Sequence, residues 1–212
     1  MQGYYRLDTG GGDQNVRVRR IFGAVAQFGT PLSDDPVIFL KPPEAITWEG
    51  EPIRVPAGET ALFEGEVVAA IGREGREIDA AHALDHVSAY GVGLDMTLER
   101  FRKNREEGVP WAMAKGFDTS ACLSRFVPAE QVVDYRQLSV ELYHNGEQKQ
   151  LGNLDDLVTP LPELIAFISR FIALEPGDLI FTGTPPTPGP VASGDTLLVR
   201  SPGLAEATFT VA

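Results

Sequence analysis

The 212-residue sequence has a single cysteine, Cys122, which excludes a disulfide within the chain and suits a reducing compartment; a cytoplasmic protein is expected. It has three histidines, and none precedes His82. No apolar run is long enough to span a bilayer, and the polar start Met1-Gln2-Gly3-Tyr4 lacks the apolar region of a signal peptide. Bases are in short supply: 18 lysines and arginines face 30 acids, for a net charge of −12 and a pI near 4.7. Such a surface repels nucleic acid and anionic membranes, so neither is an expected partner. A small anionic substrate remains open to it, held by a metal ion and a few local bases. Internal repeats and low-complexity tracts are also missing.

What is present, at 43% hydrophobic residues, suffices for one core. Residues 1–35 read as a short N-terminal segment: a polar, flexible start, then a strand over Asn15–Phe22 with its arginines in solvent. Residues 36–212 read as the body of the protein, opening on a short apolar strand that the double proline Pro42-Pro43 stops.

The chain is organised around Ala61–Gly72, which reads as one strand of small and β-branched residues. Side chains alternate along a strand, so Glu64 and Glu66 share a face with Leu62, Val68 and Ala70. Buried like charges repel and lose hydration. Either this is an edge strand with both acids in water, or a divalent cation neutralises them. Asp79 reads as the N-cap of a helix over Ala80–Tyr90, leading to a strand that carries a third acid, Asp95, near its end. The three acids could then converge on one octahedral cation that keeps positions open for substrate. His82 and His86, four apart, have a zinc-chelating spacing but no third ligand nearby, so they read as surface or packing residues, and His144 reads as exposed.

Beyond Asp95, the charged piece Leu98–Glu107 reads as a solvated helix or loop, with Arg100, Arg102, Lys103 and Arg105 offering at most an anion pocket. Lys115 is flanked by apolar residues, so its head group either snorkels to water or sits beside an anion. Cys122 has no paired base and reads as a packing residue. Asn145-Gly146 signals a hairpin turn. Pro160–Leu174 reads as an amphipathic helix with Leu164, Ile165, Ile168, Phe171 and Ile172 on one stripe. Leu179–Thr182 reads as a short buried strand running into Gly183-Thr184-Pro185-Pro186, whose turn could hold a substrate anion together with Lys115.

Taken in order, several motifs make the chain resemble the fumarylacetoacetate hydrolase superfamily, particularly its short acylpyruvase-like members, over roughly residues 36–212. They are Phe39-Leu40-Lys41-Pro42, Glu64-x-Glu66, Gly93-Leu94-Asp95-Met96-Thr97, and the run from Pro110-Trp111 through Lys115-Gly116-Phe117-Asp118. Asn145-Gly146-Glu147 with Gln150, Glu175-Pro176-Gly177-Asp178 and Thr182-Gly183-Thr184-Pro185 complete the set. The resemblance implies an α+β, predominantly β fold, a mixed β-sandwich roll with a few short helices, paired as a homodimer. It implies Glu64, Glu66 and Asp95 as ligands of Mg²⁺ or Mn²⁺, with Ca²⁺ a further candidate. Lys115 becomes the active-site lysine, and Gln150, Gly183 and Thr184 become substrate contacts. The implied substrates are small 2-oxo acids with a second carbonyl or carboxyl group, including those met in the catabolism of aromatic compounds. Their chemistry would run through a metal-stabilised enolate: hydrolysis of an acylpyruvate, decarboxylation, or isomerisation.

Hydrolytic members carry a His-Glu pair that activates water, and the corresponding segment, near Ile21–Gly29, here offers Val25 and Phe28. A histidine two residues before the first strand glutamate is replaced by Leu62. None of these replacements transfers a proton, so decarboxylation or isomerisation is favoured over hydrolysis. The alternative is a catalytically degenerate homologue that binds a 2-oxo acid and metal without turnover. A third reading is a β-rich structural domain whose acids are merely solvated.

Overall fold

The computed structural model describes residues 3–103 and 111–212. Short apolar stretches punctuated by glycine and proline turns give strands nearly everywhere, in chain order β1 (Tyr4–Asp8), β2 (Asp13–Arg17), β3 (Ile21–Val25), β4 (Val37–Lys41) and β5 (Ile46–Trp48). There follow β6 (Ala61–Phe63), β7 (Gly65–Ile71), β8 (Val87–Asp95), β9 (Thr97–Leu98), β10 (Ala121–Leu123) and β11 (Val127–Pro128). The last are β12 (Ser139–His144), β13 (Glu147–Asn153), β14 (Leu179–Phe181), β15 (Gly189–Pro190), β16 (Thr196–Ser201) and β17 (Ala205–Thr210). Among the described residues three α-helices interrupt them: α1 (Glu99–Lys103), α2 (Ala112–Lys115) and α3 (Leu161–Phe171). This is the mixed, mostly stranded fold expected, and no helix among the described residues is long and apolar enough to cross a membrane.

A curled mixed sheet in the order β4-β3-β14-β7-β8-β10-β5, with β11 added along β8, carries the site. A four-stranded antiparallel sheet, β13-β12-β16-β17, packs its Val140, Leu142, Val199 and Phe209 against Val67, Val92 and Leu94 of the curled sheet. The opposite face of the same strands, Val68, Ala70 and Ala89, packs with Tyr5, Trp48 and Phe126. Odd and even residues of β7 therefore enter two different cores, as strand alternation requires. Every residue of β7 is buried, which removes the edge-strand reading of Glu66.

Several local readings change. The stretch Ala61–Gly72 is two strands, broken at Glu64. The expected helix over Ala80–Tyr90 is a 3₁₀ run, Ala80–His86, after which β8 begins at Val87; Asp79 does cap the run, its Oδ1 accepting the Ala81 N–H at 2.9 Å. Pairing with β7 (Ala70 opposite Ala89) overrides the alanines' helical preference. The N-terminal start is a β1–β2 hairpin anchored by buried Tyr5, and the strand expected over 15–22 divides between β2 and β3. Arg20 is not solvated: it forms a two-point pair with buried Asp178 and donates to the Ala173 carbonyl at 2.9 Å. On α3, Leu164, Ile165 and Ile168 are buried as expected, but Phe171 is exposed and lies against Phe167. The hairpin at Asn145-Gly146 forms as read, both residues taking positive φ.

Candidate metal centre

Glu64 occupies the break between β6 and β7, and the Asp95 N–H donates to its carbonyl at 2.8 Å. Gly65 pairs with Leu94 and Glu66 with Gly93, so the register of β7 on β8 brings the end of β8 beside the break. One carboxylate oxygen from each of Glu64, Glu66 and Asp95 lies within 4.8 Å of the others. All three side chains are buried, Asp95 completely.

Two ammonium groups enter the same space. Lys115, the last residue of α2, donates through Nζ to Glu64 Oε2 (2.6 Å), Thr97 Oγ1 (2.7 Å) and Asp95 Oδ2. Lys41, the last residue of β4, donates to the carbonyls of Met96 (3.2 Å), Ser120 (3.0 Å) and Lys115. An ammonium has three protons, so both lysines are fully engaged. Lys41 Nζ also stands 2.7 Å from Asp95 Oδ1, an ion pair buried on both sides. Neither Lys41 nor Thr97 was singled out from the sequence, although a lysine closing an apolar strand was the available signal.

Burial and charge pull these groups in different directions. Burial alone would lower Lys115, but Asp95 and Glu64 outweigh it and hold the ammonium above the usual lysine range. Burial lowers Lys41, with Asp95 resisting. Burial would raise Asp95, but Lys115 and Lys41 overcome it and keep the carboxyl below its ordinary value. Glu66 is pushed well up, first by burial, then by Asp95 and Glu64 as like charges.

This set fits a divalent cation. The donors are all carboxylate oxygens, the choice of Mg²⁺, Mn²⁺ or Ca²⁺ over softer ions. Three buried carboxylates share two ammonium groups, and Glu66 has no lysine of its own among the described residues.

The Gly183 N–H fixes the remaining carboxylate, donating to Glu66 Oε2 at 2.7 Å. Gly183 has φ +108, and a Cβ there would stand 2.4 Å from Gln27 Cβ, so only glycine can present this N–H. Gln150 is buried and spends its amide entirely on the protein. Its Oε1 accepts the Gly65 N–H at 2.9 Å, and its Nε2 donates to Thr184 Oγ1 at 2.9 Å and to the Pro185 carbonyl at 2.7 Å.

Above the acids lies a cavity of about 310 Å³, within the usual range for a small-ligand site, with Glu64, Glu66 and Lys115 among its lining. Val25 and Phe28 line it too, so the segment that carries no proton-transfer group does face the site. Thr184 and Pro185 form another part of the wall. Phe39 and Trp111 also line it, with near-parallel rings 6.3 Å apart; Gly23 makes room for Phe39, because a Cβ there would fall 2.0 Å from the ring.

The other candidates lie elsewhere. His82 is exposed and His86 half-buried, its Nδ1 3.0 Å from the Arg73 carbonyl. His144, read as exposed, is half-buried, with Nε2 2.7 Å from Asp195. Cys122 is buried in β10, and burial pushes its thiol up, away from nucleophilic use. Arg100 pairs with Glu59; Arg105 and the rest of the 104–110 stretch lie outside the described residues, as do the side chains of Arg102 and Lys103.

Known proteins of similar sequence and fold exist. The family model for the C-terminal part of fumarylacetoacetate (FAA) hydrolase matches residues 16–212, beginning upstream of the residue-36 limit of the sequence resemblance. The mitochondrial oxaloacetate tautomerase FAHD1 of Homo sapiens is 37% identical over 189 residues, 88% of this chain and 86% of that protein. Oxaloacetate tautomerase YcgM of Escherichia coli K12 is 36% identical over 182 residues, 84% of this chain and 83% of that protein. The crystal structure of fumarylpyruvate hydrolase from Pseudomonas aeruginosa in complex with Mn²⁺ and pyruvate superposes with a TM-score of 0.91 at 34% identity, covering 100% of this chain and 97% of that one.

Proposed function

This chain belongs to the fumarylacetoacetate hydrolase family, and from that premise we propose that it is a divalent-metal-dependent enzyme that isomerises small 2-oxo acids between keto and enol forms. Decarboxylation would use the same enolate. The observation that carries the reading is the buried Glu64, Glu66 and Asp95 cluster, whose two glutamates floor a cavity with no titratable side chain on its 24–28 wall. Two oxaloacetate tautomerases among the relatives, and a related fold that takes Mn²⁺ and pyruvate, support it.

Glu64, Glu66 and Asp95 would hold Mg²⁺ or Mn²⁺. When bound, the cation supplies Lewis-acid stabilisation of negative charge on a 2-oxo oxygen. The protein's own groups do the rest. Lys115 keeps its ammonium charged, because Asp95 and Glu64 hold it so, and it acts as a fixed positive charge facing the developing enolate. Thr184 Oγ1 accepts from Gln150 and keeps its hydroxyl proton for a substrate carboxylate. Gly183 contributes through the shape of its turn, its N–H being committed to Glu66, and Gln150 contributes by holding Thr184 and Pro185 against β7. Among the described lining residues only Glu64, Glu66 and Lys115 can titrate, so the rest of the described wall binds and shields the substrate without taking part in proton transfer. Isomerisation and decarboxylation need no activated water, whereas hydrolysis does.

One observation favours a second reading, a homologue that binds without turnover: Lys115 already bridges Glu64 and Asp95 and neutralises much of their charge. The test follows the enol absorbance of oxaloacetate with added Mg²⁺ or Mn²⁺. The wild-type protein should speed its decay, and chelator or Glu66→Ala should abolish the effect. Acceleration that survives chelator would sink the metal-dependent reading; calorimetric binding of oxalate with Mg²⁺ but no turnover of any 2-oxo acid would select the second.

A further inference from the structure

The cavity is charged at one end only. Its floor is Glu64, Glu66 and Lys115, while the walls above present mainly Val25, Phe28, Leu32, Trp111 and the prolines, with the hydroxyls of Thr184 and Thr187 as their uncharged polar groups. Lys115 is the only cation among the described lining residues, and its three protons are spent on Glu64, Asp95 and Thr97. The stretch that withholds a proton-transfer pair also supplies Val25 and Phe28 to the apolar wall, and Leu32 just beyond it extends that wall.

On the reading of this site as a 2-oxo acid site, we propose that it selects 2-oxo monocarboxylates with an apolar far end, an aryl or alkyl group, over 2-oxo dicarboxylates. Three buried carboxylates, two buried ammonium groups and a bound dication leave one positive charge in the floor. A single substrate carboxylate cancels it. A second carboxylate at the far end would lose hydration against Phe28, Leu32 and the proline wall with no cation among the described lining residues there to replace the water. An aromatic tail in the same place removes apolar surface from water on both sides. The cavity volume, about 310 Å³, admits an acid with one aromatic ring.

Two oxamates with the same head test this directly, because neither can enolise: N-benzyloxamate, with an apolar tail, and N-oxalylglycine, with a carboxylate tail. Calorimetric titration with Mg²⁺ present should give N-benzyloxamate a dissociation constant at least about tenfold lower. Equal or tighter binding of N-oxalylglycine overturns the proposal. Leu32→Arg, at a half-exposed position, should erase or reverse the preference by placing a cation opposite the floor, and an unchanged preference also overturns it. In turnover, enol phenylpyruvate should be preferred to enol oxaloacetate in kcat/KM. Turnover of oxaloacetate with preferred binding of N-oxalylglycine would remove this inference alone. Binding of neither oxamate, with no metal-dependent turnover, would remove the proposed function and this inference together.

Discussion

Lys41 and Lys115 share one buried space, yet burial prevails on the first and charge on the second. The difference lies in what each proton meets. Lys41 is aimed at three main-chain carbonyls, from Met96, Lys115 and Ser120, and so ties β4 to the segments on either side of the site. Lys115 is aimed at carboxylates that a cation could also satisfy. The two should therefore respond differently to substitution. Lys41→Met strands three carbonyls and the charge neighbour of Asp95, and should cost roughly 3–5 kcal/mol, a fall in melting temperature on the order of 10 °C. Added Mg²⁺ should not restore it. Lys115→Met should lose turnover, but its stability should recover with Mg²⁺, because the ion replaces the ammonium between Glu64 and Asp95. Differential scanning calorimetry of both variants, with and without Mg²⁺, makes the comparison. Equal recovery in both would show that Lys41 belongs to the ion site and is not a main-chain tie.

At the scale of elements, the β12–β13 hairpin is pinned to the loop before β16 by Asp195. Its carboxylate accepts from the Asn145 side chain and from the Ala192 N–H, with His144 Nε2 2.7 Å away, and these neighbours hold it below the ordinary 3.8, at about 2. A carboxyl depressed in the folded state lends stability above its unfolded value, and that stability fades as pH falls through the folded value. Asp195→Ala should thus weaken the protein by about 1–3 kcal/mol near neutrality, with the gap from wild type closing between pH 3.8 and about 2. Urea midpoints measured across that range should converge; a gap that stays constant would mean the carboxylate's charge is irrelevant. The hairpin itself was legible, since Asn145-Gly146 is a turn signal that needs no tertiary partner. So was α3, whose Pro162 and buried Leu164, Ile165 and Ile168 follow helical spacing. Ala80–Tyr90 was not: local propensity favoured helix, and only pairing with β7, distant in sequence, makes Val87–Tyr90 a strand. Glu64, Glu66 and Asp95 could be picked out because paired acids in apolar strands are conspicuous. Lys41 offered only the signal of a lysine closing an apolar strand, and Thr97 none, because their part depends on how β4 and β9 approach α2 in space.

For the molecule as a whole, the three acids stand on parts of the chain that separate when it unfolds: the β6–β7 break, β7 and the end of β8, with Gly183 beyond β14 steadying Glu66. A cation gripping them binds the folded state and has no comparable site in the unfolded one. It must therefore stabilise the fold by mass action, about 2.7 kcal/mol at a hundredfold excess over its dissociation constant. For a chain of this size that is a rise in melting temperature of roughly 5–10 °C. A net charge of −12 complicates the comparison, because any salt relieves repulsion over the acidic surface. The decisive contrast is thus Mg²⁺ or Mn²⁺ against NaCl at equal ionic strength, in wild type and in Glu66→Ala. The divalent ions should raise the wild-type melting temperature well beyond NaCl, with saturation, and the excess should vanish in the variant. An equal rise with NaCl, or one that Glu66→Ala retains in full, would place the cations on the surface and leave the buried acids to their lysines.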